Sequence, residues 1–156
     1  RKGVPMGGEL GKAATRAPGF MLIAMKDPHG ANLDRVQVVK GWRDASGALQ
    51  EKVYNVAVSD NRAIAADGGV EPLTATVDLE KATYLNAIGE AQFSTFWQDP
   101  DFDAAEPAFY YARVIEIPTP RWTAYDAARL GKAINSADPR AVQDRAYSSP
   151  IWYSPE

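Results

Sequence analysis

Asp99, Asp101 and Asp103, in the run DPDFD, place three carboxylates at alternate positions of one short segment. Hard cations such as Ca²⁺ need several oxygens converging on one point, and carboxylates at the first, third and fifth places of a loop can supply three. The remainder of a calcium loop is missing. Ala104 stands where the sharp turn needs Gly, and Tyr110 stands where a bidentate Glu belongs. Asp99-Pro100 is also a turn opener. A solvated acidic turn therefore outranks a metal site, and Asp99, Asp101 and Asp103 remain the only metal candidates that the sequence offers.

Other chemistry-bearing residues are isolated. His29 is the single histidine and sits in a DPHG turn, whereas zinc sites want several ligands and a group to orient each imidazole. No Ser lies in a G-x-S-x-G elbow, and Gly7-Gly8, Gly41 and Gly68-Gly69 lack the spacing of a phosphate loop. Arg121-Trp122 follows two prolines in IPTPRW, a context that can hold a guanidinium beside an aromatic plane. The simpler reading has Trp122 closing the end of a sandwich and Arg121 paired with a nearby carboxylate. The four tryptophans and seven tyrosines could offer a sugar-stacking face, but most belong in a core of this size. At most Trp152 or Tyr153, on the last strand, would be exposed. The sequence thus assigns no catalytic residue and no cofactor, and Arg121, Trp122 and Trp152 are its candidates for ligand or interface contacts.

The 156 residues suffice for one domain with a real core. Hydrophobic residues make up 46% and charged residues 24%, an ordinary globular balance. The net charge is -3 with Lys and Arg scattered, so there is no basic stripe for a phosphate backbone and nucleic acid is not an expected partner. No apolar run approaches the ~18 residues of a membrane-spanning helix. The absence of cysteine removes disulfides, thiolate metal sites and thiol nucleophiles together.

The elements that would position these residues are mostly strands. Residues 1–18 read as an extended entry segment with a short edge strand near Val4–Met6, and residues 19–156 as a single domain. Residues 19–27 are nearly continuously apolar. Residues 35–42 alternate, with Val36, Val38 and Trp42 on one face and Arg35 and Gln37 on the other. An Asp44–Gly47 turn leads to a second strand at 52–59, the clearest hairpin. Residues 60–73 form a loop. Residues 77–86 suggest two short strands, 91–97 and 108–117 further strands, and Pro118 and Pro120 a stop. Thr123 with Asp126 resembles a capping box for a short helix that Gly131 ends, and Asp138-Pro139 opens a second helix to about Arg145. A Pro-interrupted strand at 147–153 would lie at a sheet edge. The fold expectation is mainly β: an antiparallel β-sandwich, immunoglobulin- or fibronectin-like, with one or two short helices. Val36, Val38, Trp42, Val53, Phe93, Trp97, Tyr110, Val114 and Trp152 form the expected core.

The phrases GVPMGGEL, ANLDRVQVVKGW, EKVYNVAV, AFYYARVIEIPTPRW and AYSSPIWYSP together resemble the C-terminal part of a large bacterial family, a domain of unknown function, over nearly the whole chain. The N-terminal region of that family resembles metal-dependent hydrolases of the polymerase-and-histidinol-phosphatase class, whose clustered His and Asp residues bind metals on a distorted barrel. None of those ligand motifs occurs in this chain. The resemblance implies a non-catalytic accessory β domain, the C-terminal fragment of a longer protein, with the N-terminal barrel as its partner and a periplasmic or cell-envelope location favoured. A module binding carbohydrate or another envelope component, and an oligomerisation module pairing through a free strand edge, are the alternatives.

Overall fold

The computed structural model describes residues 3–11, 16–131, 133 and 139–155. Two layers pack face to face. The larger is a sheet centred on β3 (Leu33–Arg43) and β6 (Ala108–Glu116), which pair antiparallel, with β4 (Leu49–Val58) on the far side of β3. The other side of β6 carries two short strands in series, β9 (Arg145–Tyr147) and β10 (Ile151–Tyr153). Beyond β10 lies β1 (Glu9–Leu10), in parallel register. The smaller layer is an antiparallel ribbon of β2 (Gly19–Met25) and β5 (Gln92–Gln98). This is a mainly β, sandwich-like fold.

Alternation on the strands explains how the layers meet. Phe20, Leu22 and Trp97 of the ribbon pack on the buried Val38, Tyr110 and Tyr153 of the sheet, and Leu22 and Ala24 contribute to a second cluster around Leu33, Val36 and Phe93. Of the expected core, Val36, Val38, Phe93 and Tyr110 are buried, while Trp42, Trp97 and Val114 pack half-buried against it. Val53 and Trp152 depart from the expectation, being 39% and 51% exposed. Both project from the outer face of the sheet, opposite the ribbon. Val53 is registered with Val39, and Trp152 with Phe109.

The ribbon is fastened at two corners. At one, Leu33 exchanges backbone hydrogen bonds with Glu90 at 2.8 and 2.9 Å. At the other, where the ribbon's own ladder runs on to the Asp99 amide on the Pro18 carbonyl at 3.3 Å, Asp99 Oδ2 lies 2.7 Å from Lys40 Nζ of the sheet and accepts the Tyr110 hydroxyl at 2.7 Å. Among the described residues, the edge of β2 away from β5 carries no ladder.

Five local expectations are corrected. The entry segment pairs at Glu9–Leu10 rather than at Val4–Met6, because the Gly8 carbonyl accepts the Trp152 amide there. Residues 77–86 hold no strand of that sheet. The Asp78 carboxylate accepts the amides of Glu80 and Lys81 and closes a turn, leaving one isolated bridge between Asp78 and Thr83. Asp138 lies outside the described residues, but there is no helix over 141–145: Ala141–Val142 is β8, pairing with β7 (Thr119–Pro120), and Arg145 opens β9. The strand expected at 147–153 is two strands, of which β10 is covered by β1 and only β9 lies at an edge. The other helix, α1 (Trp122–Leu130), forms and ends at Gly131 in the left-handed conformation, φ 62°. Its N-cap is Arg121 with no side-chain cap, so Thr123 is inside the helix and its buried hydroxyl has no partner.

Candidate functional site

The DPDFD segment follows β5 and runs beneath the sandwich's end. Asp99 is buried. Its Oδ2 lies 2.7 Å from Lys40 Nζ and accepts the Tyr110 hydroxyl at 2.7 Å, and its Oδ1 accepts the Asp101 amide at 2.9 Å. Lys40 and Tyr110 are cross-strand neighbours on the inner face of the sheet. The ammonium also donates to the Asp101 carbonyl at 2.7 Å and lies 5.0 Å from the Trp42 ring centroid. Asp101 turns the other way and pairs with Lys52 while accepting the Tyr54 hydroxyl at 2.7 Å. Those bonds, Lys52 first and Tyr54 second, hold its carboxyl below the usual carboxylate range. Burial, then the hydrogen bond to Asp99, pushes the Tyr110 phenol well above its ordinary value. Asp103 accepts the Ala105 amide at 2.8 Å. The three carboxylates therefore diverge onto two lysines, two tyrosines and local amides. Among the described residues no group of three or more acidic or histidine side chains is placed to hold a metal ion.

The other singled-out residues are scattered. His29 is in its turn, its amide bonded to Asp27 Oδ1 at 2.8 Å. Trp122 does not close the sandwich: it opens α1 and is 65% exposed. The cation–π contacts of the described residues use Lys40 and Lys52, with Trp42, Tyr110 and Tyr54. Trp152, by contrast, joins a group that the sequence analysis left unassembled.

That group lies on the outer face of the main sheet. Trp152 contacts Phe109 with ring centroids 5.4 Å apart, Phe109 and Tyr111 are parallel at 6.4 Å with 7° between planes, and Tyr111 meets Tyr147 at 6.1 Å. Period-two alternation puts Phe109 and Tyr111 on one face of β6, and registry brings Trp152 and Tyr147 beside it. Gly41 makes room, since a Cβ there would lie 2.3 Å from the Phe109 ring. Arg113 continues the face. Its Nε donates to Gln37 Oε1 at 2.7 Å, and Gln37 Nε2 donates to Asn55 Oδ1 at 2.8 Å.

Two apolar surfaces lie on the opposite side of the molecule. The ribbon's outward residues Met21, Ile23, Met25 and Phe96 are between 68% and 78% exposed. Under the free edge of β2, a cleft of about 860 Å³ opens between the layers, walled by Leu22, Ala24, Val36, Val38, Tyr110 and Val114. Glu116, Asp144 and Asp27 line it too. Burial, then the charges of Asp144 and Asp27, raises the Glu116 carboxyl above its ordinary value. No helix among the described residues is long and apolar enough to cross a membrane.

The model of a protein family of unknown function, DUF3604, matches residues 1–155, and the chain belongs to that family. No curated protein and no solved structure matches it.

Proposed function

We propose that this member of a family of unknown function is a non-catalytic accessory β domain that packs against a catalytic domain of the same longer protein and shapes the approach to it. The observation that carries the reading is the ribbon. Met21, Ile23, Met25 and Phe96 form a contiguous apolar face on a two-stranded layer, and the cleft beside it adds further apolar wall. Apolar patches of this kind on soluble domains mark interaction surfaces, and methionines adapt their packing to a neighbour's shape. The divergence of the acidic side chains, each tied to its own cation or phenol, supports assigning the chemistry elsewhere. A metal-dependent hydrolase barrel is the catalytic partner we favour, on the resemblance of the family's N-terminal region.

The test has two parts. The purified chain, offered p-nitrophenyl phosphate and bis-p-nitrophenyl phosphate with Mn²⁺, Zn²⁺ or Mg²⁺, is expected to be inactive. In the longer protein, Met21→Ser together with Ile23→Ser is expected to speed proteolytic release of this domain and to alter KM while leaving metal dependence intact. Phosphoester hydrolysis by the chain alone, persisting through chelation and repurification, overturns the reading. So does a longer protein in which the double substitution leaves proteolysis and kinetics unchanged.

A further inference from the structure

We infer that the aromatic row on the outer face of the main sheet, Trp152, Phe109, Tyr111 and Tyr147, is a binding platform for a β-1,4-linked polysaccharide chain. This goes beyond the accessory reading and uses the outer face of the main sheet rather than the ribbon; Tyr111 and Tyr147 also border the cleft, so substitutions in the ribbon itself tell the two readings apart. Four observations carry it. The rings form an unbroken series with centroid spacings of 5.4, 6.4 and 6.1 Å, close to the advance of one pyranose unit. The end rings are 51% exposed for Trp152 and 57% for Tyr147, although large rings ordinarily find cover. The central pair is parallel within 7°, while Trp152 and Tyr147 tilt by 50° and 48° against their neighbours. The ring planes thus change direction at both ends of the row, as a chain that twists from unit to unit needs. Lastly, the row runs on into Arg113, Gln37 and Asn55, whose side chains are locked to one another at 2.7 and 2.8 Å.

The chemistry of the ligand follows from these features. Equatorially linked pyranoses present flat C–H faces, which stack on aromatic rings, and hydroxyl edges, which need fixed amide, guanidinium and phenol partners. A coiled α-linked chain would present no such continuous flat edge. Single-stranded nucleic acid also stacks on rings but requires a cationic groove. Along this row the basic side chains are Arg113 and Arg145, which do not line a groove, and the chain's net charge is -3.

The experiment is affinity electrophoresis of the chain through gels containing hydroxyethylcellulose or glycol chitin, backed by titration calorimetry with cellohexaose and chitohexaose. Retardation by at least one polymer is expected, with the hexasaccharide of the same series binding. Trp152→Ala and Tyr147→Ala should each weaken that binding by about tenfold or more. Trp122→Ala is the control for a general loss of aromatic surface, since Trp122 is more exposed than either end ring but lies outside the row, and it should change nothing. Thermal unfolding of each variant checks that the fold is intact. Migration unaffected by every polymer, or equal weakening by Trp122→Ala and Trp152→Ala, overturns the inference. Capture of a protein by this face, with no saccharide bound, does so too.

Discussion

Replacing Asp99 with Ala should destabilise the domain by about 3–5 kcal/mol, the cost of breaking a buried ion pair from one side. The Lys40 and Asp99 side chains are 2% and 0% exposed and 2.7 Å apart. Without the carboxylate, the ammonium keeps one carbonyl, that of Asp101, and the faces of Trp42 and Tyr110. The Tyr110 hydroxyl and the Asp101 amide lose their acceptor as well. A loss of that size is a large fraction of a typical ~5–15 kcal/mol stability. The cause is the stranded charge rather than any great net strength of the pair, which a second experiment separates. Lys40→Met combined with Asp99→Asn removes the cation while the Asn oxygen can still serve Tyr110 and Asp101. The double variant should be more stable than the two single losses sum to, with a coupling of about 2 kcal/mol or more. Urea unfolding followed by tryptophan fluorescence reads both quantities, and an unchanged slope with denaturant keeps the comparison valid. An Asp99→Ala cost below about 1 kcal/mol, the range of exposed pairs, would refute the reasoning. Strictly additive single effects would as well.

Three further outcomes are expected. Gly89→Ala should cost about 2 kcal/mol or more, because φ is +79° and the new Cβ would sit 2.6 Å from Ile117 and 3.0 Å from the Leu33 carbonyl oxygen; a cost under 1 kcal/mol in the same urea assay contradicts the close packing there. Trp97→Ala should cost about 3 kcal/mol, since its ring lies 5.7 Å from Phe20 and 4.9 Å from Tyr54 within the sandwich, whereas Trp122→Ala at the exposed start of α1 should stay within about 0.5 kcal/mol; similar values for the two would contradict their placement. Glu116 has a raised folded pKa, so it binds its proton more tightly folded than unfolded, and its contribution to stability is lost as pH climbs from about 4 through the raised value. Glu116→Gln should therefore gain on the parent protein across that window, and parallel urea midpoints from acid to neutral pH would exclude the effect.

The hairpin of β3 and β4 and the long β6 were legible because turn residues and period two agree there. The inward face was harder to read. On β3 and β6 both faces carry apolar side chains, with Val39 and Tyr111 on the outer one as well as Val38 and Tyr110 on the inner. Alternation therefore marks two faces without saying which is wet, and Val53 and Trp152 were placed on the wrong one. Lys40 held a signal that went unused: it is in phase with Val38 and Trp42, and a charge in that phase implies a buried partner. Its partner lies 59 positions away at Asp99, a separation that no local pattern encodes. The same is true of the aromatic row, whose members come from three strands that only registry brings together. Asp138-Pro139 misled because the helix-start signal is local, whereas the pairing of Ala141–Val142 with Thr119–Pro120 is a tertiary choice.

The two unfilled surfaces differ in chemistry as well as in place, and that difference argues for two roles. The ribbon presents Met21, Ile23 and Met25, flexible or aliphatic side chains that can match an irregular protein surface and offer nothing to a hydroxyl. The outer sheet presents rigid rings beside Arg113, whose Nε is held by Gln37, a combination suited to stacking on the flat face of a hydroxylated ligand. A domain that needed only to pack would gain nothing from fixing Arg113 onto Gln37, and one that needed only to bind a glycan would have no use for an apolar ribbon. Substitutions on the two faces should accordingly be separable: Met21→Ser and Ile23→Ser leave saccharide retention intact, and Trp152→Ala leaves domain packing intact. A shared loss from either set would mean that both surfaces serve one partner.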